Sequence, residues 1–245
     1  MSSATKKIGI VGCGLLGSMF ARSFSAFSVS LDVAAEITLV DYDVVEKRNS
    51  PSDLGVPGTI GEKKVDVVAK VYESAGITVK KKEARITEKN LWVLKGHDLI
   101  VGALDNVESR GLLLKAAQKY DTPYIDMGLS AVTGNVTWSY GELVTMPFAG
   151  EFAKYKVSAE KQPACELVGT RIFSALVTEC AAMSVFIFTS GHDPASIVYS
   201  AIGRQAQQGD LINWYVSMGD SAIRTIAKHV GAKEVSNDTG ADEES

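Results

Sequence analysis

The chain has 245 residues, 46% of them hydrophobic, and a formal net charge of −4. That length and apolar content suit one α/β sheet domain with a sizeable core, and the mild acidity removes any electrostatic case for nucleic acid as the main partner. Cys13, Cys165 and Cys180 form no CxxC pair, which argues against a disulfide scaffold and a four-cysteine zinc site.

The stretch "MSSATKKIGI" lacks the apolar run of a secretory signal, so the expected setting is cytoplasmic and reducing. "KIGIVG" (7–12) reads as a buried strand, followed by a helix from Leu15 into the twenties, and "ITLVD" (37–41) as a second strand. Residues 42–60 carry Pro51, Gly55, Pro57 and Gly58 and read as loop. Over 61–76 an amphipathic helix is expected, with Val65, Val68, Ala69 and Tyr72 on one face and Gly76 as its stop. "TVKKKEARI" is polar on one side and suits an edge strand, and "HDLIVGAL" (97–104) is apolar enough for a central one. A helix over about 107–120 precedes strands at "PYIDMG" and "GNVTWSY". Residues 143–165 read as a long loop or crossover, and 166–190 as a buried helix. The apolar run of that helix, "IFSALVTECAAMSVFIF", holds Thr178 and Glu179 and falls short of the ~20 apolar residues of a membrane span. A last strand and helix are expected within 211–231, and "SNDTGADEES" reads as a disordered acidic tail.

Strands alternating with helices predict a Rossmann-like α/β fold, a mostly parallel sheet with helices on both faces and antiparallel additions toward the C-terminus. The expected organisation is one domain over 1–235 and a tail over 236–245.

Gly12, Gly14 and Gly17 match G-x-G-x-x-G between a strand and a helix. Such glycines let backbone turn tightly and approach phosphate or ribose at a helix N-terminus. Asp41 ends the next strand, where a carboxylate can accept from ribose hydroxyls. The bland alternative is that the glycines only permit close helix–strand packing.

Beyond Asp41 the chain departs from a nicotinamide enzyme. "D-Y-D-x-V-x-x-x-N" (Asp41, Asp43, Val45, Asn49), then "G-x-x-K" (Gly61, Lys64), then "D-N-x-x-x-R" (Asp105, Asn106, Arg110) run in one order. This series, over roughly residues 7 to 140, resembles the adenylating fold of the ThiF/MoeB family, the bacterial branch of the ubiquitin-activating-enzyme superfamily. The resemblance implies an ATP-dependent adenylyltransferase that activates a carboxylate and releases pyrophosphate. It implies ATP and Mg2+ as cofactors, and a homodimer. Asp41 would hold the ribose, Arg48 and Asn49 would face the phosphates, and Lys64 would reach phosphate as a point charge. Asp105 would hold magnesium. The substrate would be the C-terminus of a ubiquitin-like or sulfur-carrier protein, or a small-molecule or peptide carboxylate; no nucleic acid or membrane partner is expected. Singly, each residue also has an ordinary structural reading. Lys64 could be solvated, as Lys63 is expected to be; Arg110 could pair with an acid on its own helix; Asp105 could cap that helix with Glu108 completing a capping box.

The chain also departs from the family pattern. The family reads N-x-x-R after the acidic strand, but Asn49 is followed by Ser50, Pro51 and Ser52, leaving Arg48 as the substitute. Cys165, in "KQPACELVGTR", is placed where some relatives carry an acyl-accepting thiol, against the commoner structural role of lone cysteines. Cys13 and Cys180 read as packed. Two other readings stay open: an NAD-dependent oxidoreductase, and a non-catalytic nucleotide-binding subunit of a heterodimer.

Overall fold

The computed structural model describes residues 5–31, 33–49, 58–129, 134–140, 142–148, 155–156, 168–189 and 233–234. β1 (Lys6–Val11), β2 (Ala35–Asp41), β3 (Thr78–Glu83), β4 (Leu99–Gly102), β5 (Tyr124–Leu129), β6 (Gly134–Tyr140) and β7 (Glu142–Phe148) form a seven-stranded sheet in the order β3-β2-β1-β4-β5-β6-β7. The first five strands in that order run parallel. β6 and β7 add antiparallel to β5 and to each other. A short pair, β8 (Tyr155–Lys156) and β9 (Lys233–Glu234), forms separately.

Alternation along the strands builds two cores, because successive side chains leave a strand on opposite faces. Ile8, Ile10, Ile37, Leu39, Leu99 and Val101 point to one face, where α1 (Leu15–Leu31), α2 (Lys64–Ser74) and α4 (Val168–Thr189) cover them. Val11, Val40 and Ile100 point to the other, beneath α3 (Val107–Tyr120) and a 3-10 helix over Glu88–Leu94. Both faces are covered, as a parallel sheet requires. α1 buries Leu16, Phe20 and Phe24, one helical turn apart. The Phe20 and Phe24 rings stack at 5.8 Å, and Phe27 reaches Phe186 of α4 at 6.4 Å. β3 is an edge strand, as its lysines suggest: Lys80 and Lys81 are exposed and paired with Glu36 and Asp66.

Two expectations change. The stretch from 143 is not all loop, since β7 occupies Glu142–Phe148. Pro147 within it is tolerated because β7 is the edge of the sheet among the described residues, where one row of backbone groups needs no partner. The helix expected over 61–76 begins only at Lys64, because Glu62 and Lys63 are held by backbone pairing with Val44 and Val45. The strand and helix expected within 211–231 and the tail at 236–245 lie outside the described residues.

Strand order reverses between β1 and β4, whose chain successors leave to opposite sides of the sheet. Ligands of open α/β sheets bind in the crevice this reversal creates, past the carboxyl ends of the strands. Gly12 follows β1 there, Asp41 ends β2, and Asp105 follows β4.

Candidate functional site

The three glycines divide their work. Gly12 has φ +100, and a Cβ on it would lie 2.4 Å from the Ala103 carbonyl oxygen. A Cβ on Gly17 would lie 2.0 Å from the Gly12 carbonyl oxygen. Both are packing glycines, which brings α1 down onto β1 and β4. Gly14 differs: a Cβ there would meet nothing within 4 Å. Open space therefore lies over the α1 N-terminus, where free N–H groups favour an anion.

Asp41 fixes this turn. Its Oδ2 accepts from the Cys13 N–H at 2.6 Å and its Oδ1 from the Asp43 N–H at 2.8 Å. Each carboxylate oxygen keeps a further lone pair for a hydroxyl donor. Asp43 turns back on α2: its carbonyl accepts the Lys64 N–H, and its carboxylate meets the Lys64 ammonium at 3.0 Å. The Lys64 side chain is only 10% exposed, against 43% for Asp43, so the ammonium is a buried point charge with a partly solvated partner. Lys63 is exposed and bonds Glu83. Arg48 and Asn49 lie in a 3-10 turn over Lys47–Asn49, where Asn49 Oδ1 accepts the Glu46 N–H at 3.2 Å. Tyr42, also exposed, lies under the Arg85 guanidinium at 5.6 Å.

Across the crevice, Asp105 is exposed and among the described residues accepts only from Asn106 Nδ2, at 3.2 Å. The N-cap of α3 is Asn106, whose Oδ1 accepts the Ser109 N–H at 2.8 Å. The capping alternative for Asp105 is thereby corrected: the side chain one residue later has the reach, and Asp105 is left free. Arg110 pairs with no acid of its own helix. Its Nε donates to Asp126 Oδ2 of β5 at 2.8 Å, and its terminal nitrogen bonds the same oxygen. The Tyr124 hydroxyl donates to Asp126 Oδ1 at 2.7 Å. Asp126 is 5% exposed, so a buried carboxylate is held by a guanidinium and a phenol. Burial and the neighbouring Asp126 push the Tyr124 hydroxyl far above its ordinary pKa, and the Asp126 hydrogen bond raises Arg110. Asp126 and Tyr124 escaped the reading of the sequence. The available signal was an acid inside the apolar strand "YIDM".

The residues fit a magnesium ion arriving with a nucleotide. Among the described residues no three His, Cys, Asp or Glu side chains group to hold a metal by themselves. Mg2+ is commonly bound by one or two carboxylates together with substrate phosphates, and Asp105, after the strand beside the glycine turn, offers one uncommitted carboxylate.

Cys13 is buried, and burial, reinforced by Asp41, pushes its thiol well above the ordinary range. Burial likewise pushes Cys180 up to about 12. Both thiols stay protonated at pH 8, so iodoacetamide treatment of the native protein at that pH is expected to leave the peptides carrying Cys13 and Cys180 unlabelled by mass spectrometry. Labelling of either within minutes would show that burial does not hold it. Cys165 lies outside the described residues. Among the described residues no helix is long and apolar enough to cross a membrane.

The sequence pattern of the ThiF family matches residues 3–212. Over 144 residues the chain is 25% identical to ubiquitin-activating enzyme E1 1 of Candida albicans (strain WO-1), covering 54% of this chain and 14% of that enzyme. MccB of E. coli superposes with a TM-score of 0.59 at 18% identity, covering 78% of this chain and 57% of that one. For PaaA the TM-score is 0.55 at 17% identity, with 77% and 57% covered. The chain thus spans a small part of the curated relative it matches and little more than half of these solved chains. At such identities the solved structures speak for a shared fold.

Proposed function

The chain belongs to the ThiF family, and from that premise we propose that it is an ATP-dependent adenylyltransferase that activates a carboxylate. The observation that carries this reading is the crevice between β1 and β4. An open glycine position lies over a helix N-terminus, with a buried ammonium on one side and a free carboxylate on the other. In the proposed reaction a substrate carboxylate oxygen attacks the α-phosphorus of ATP, an acyl-adenylate forms, and pyrophosphate leaves. The α1 N-terminus and Lys64 hold the phosphate charge, in a setting where preorganised donors are worth most. Lys64 must exchange Asp43 for phosphate to do so. Asp41 takes the ribose hydroxyls and holds the turn in shape. Asp105 would hold magnesium, which would supply charge neutralisation on the triphosphate. Asn49 is proposed to face the phosphates, and Asn106 and Arg110 to bind the nucleotide, as the family motif implies, with Arg110 acting from its place on Asp126.

The proposed substrate is a peptide or protein C-terminus or a small-molecule carboxylate. MccB has been solved with MccA, and the curated relative is a ubiquitin-activating enzyme; both favour a carboxylate at a chain end. We place the activity in one domain over residues 1–235, acting as a homodimer in the cytoplasm.

Pyrophosphate–ATP exchange stimulated by candidate carboxylates tests the reaction, and calorimetry with ATP–Mg2+ and with NAD tests the nucleotide. Tighter binding of NAD, or binding of ATP indifferent to magnesium, would replace this reading with an oxidoreductase. ATP binding without exchange would favour the non-catalytic subunit, a reading motivated by the absent N-x-x-R arginine.

Arg48 is proposed to stand in for that arginine. Arg48→Ala is expected to slow adenylate formation more than about tenfold, roughly 1.4 kcal/mol of transition-state stabilisation. Lys47→Ala is the comparison: equal losses would show a generic charge effect of the loop instead of a phosphate clamp.

A further inference from the structure

We infer that Asp126 and Tyr124 form a positioning device for the metal-binding carboxylate, an inference that rests on the adenylation reading and deepens it. The segment that carries Asp105 is tied to β5 at both ends. At its start, Gly102 ends β4 directly beside Asp126, its register partner. The Tyr124 hydroxyl lies so close there that a Cβ on Gly102 would be 2.7 Å away. At the far end, in the first turns of α3, Arg110 grips Asp126 with two nitrogens. Between these anchors stand Asp105, with only the Asn106 amide on it among the described residues, and Asn106, whose other bond caps the helix.

A metal-binding carboxylate gains from being held in place before the metal arrives, because ordering it on binding costs entropy. Asp105 itself is exposed and its side chain is weakly held, so that order has to come from the backbone. Asp126 supplies it. The carboxylate is buried, and its two oxygens are divided between the two tethers: Oδ1 takes the Tyr124 hydroxyl and Oδ2 the guanidinium. Both of its oxygens are thus engaged by protein donors. Its effect on the site passes through Arg110 and the turn into α3.

The test is binding of Mn2+ in the presence of α,β-methylene ATP, read by electron paramagnetic resonance, with thermal melting alongside. Asp126→Asn keeps the shape and removes the charge. Tyr124→Phe keeps the ring and removes one donor, and serves if the first variant fails to fold. Partners one layer behind a ligand commonly matter by about 10–100-fold in metal affinity. Asp126→Asn is therefore expected to weaken Mn2+ about tenfold, and Tyr124→Phe to shift it the same way by less. Affinity for the analogue without metal falls by less than that for Mn2+ in both. Mn2+ affinity equal to wild type in well-folded variants overturns the inference alone. So does a loss of metal-free analogue binding that matches the loss of Mn2+, which marks general damage to the site. A wild-type protein that binds no metal–nucleotide overturns the adenylation reading and this inference with it.

Discussion

Gly17→Ala is expected to lower the melting temperature by about 10 °C, while Gly14→Ala leaves it within about 2 °C of the parent. Inside a helix, alanine is ordinarily better than glycine by about 0.5–1 kcal/mol, so at Gly17 the usual sign must be overcome. It is overcome because the added carbon would lie 2.0 Å from the Gly12 carbonyl oxygen and 2.9 Å from its carbon. Relief needs a movement of backbone on the order of 1 Å, by the contact distances of ordinary packing. Gly12 cannot give way freely: its N–H is bonded to Val40 and its own face lies against Ala103. Overpacking of this kind costs about 3 kcal/mol, the upper end of the usual range, and each kcal/mol moves the midpoint by about 2–4 °C in a chain of this size. Gly14 has neither obstacle, since no atom lies within 4 Å and its φ is not in the left-handed region. Its methyl would instead occupy the space proposed for phosphate, and ATP binding should fall at least about tenfold, or 1.4 kcal/mol. Differential scanning calorimetry and ATP titration read the two effects separately. A Gly14→Ala protein that binds ATP normally would move the phosphates away from the glycine turn.

That contrast also marks what sequence can and cannot reveal. The G-x-G-x-x-G spacing located the turn, but whether each glycine serves packing or ligand depends on Ala103, which is about ninety residues along the chain. The parallel half of the sheet was legible because each strand is a short apolar run followed by a periodic helix. β7 was not, because "LVTMPF" carries a proline, and only the finished sheet shows that this strand is an edge. The 3-10 helix over Glu88–Leu94 was also missed, being short and closed by a capping exchange between Thr87 and Asn90 that leaves little periodicity. Among the charged residues, the G-x-x-K motif singled out Lys64 over Lys63, and the fold gives the reason, since Lys64 shares the buried face of Val68 and Tyr72. Arg110 was placed on a motif, yet its partner was sought on its own helix and found on the neighbouring strand. Asp126 belongs to a pair that exists only once β5 lies beside β4 and beneath α3. Side chains that meet within one element can be read from spacing; those that meet across elements need the topology first.

Asp105→Ala is expected to reduce carboxylate-dependent pyrophosphate exchange at least about a hundredfold, roughly 2.7 kcal/mol, while leaving stability within about 0.5 kcal/mol of the parent. The pairing of a large kinetic effect with a negligible thermal one comes from how the three acids of the crevice are employed. Asp41 has both oxygens on backbone N–H groups that shape the glycine turn, so its removal would damage fold and function together. Asp43 is engaged with the buried Lys64 ammonium. Asp105 is exposed and accepts one side-chain amide at 3.2 Å, which contributes little to the folded state. A carboxylate left this free, past the end of a central strand whose neighbour carries the open glycine turn, is available to a hard cation that binds oxygen ligands. Asp105→Asn separates charge from shape: it keeps a neutral oxygen, and an intermediate rate with a higher Mg2+ requirement is expected. If Asp105→Ala exchanges pyrophosphate at the parent rate, the metal role passes to Asp43, which would have to release Lys64 as the nucleotide enters. Asp43→Ala would then be the inactive variant, with a magnesium titration that no longer saturates.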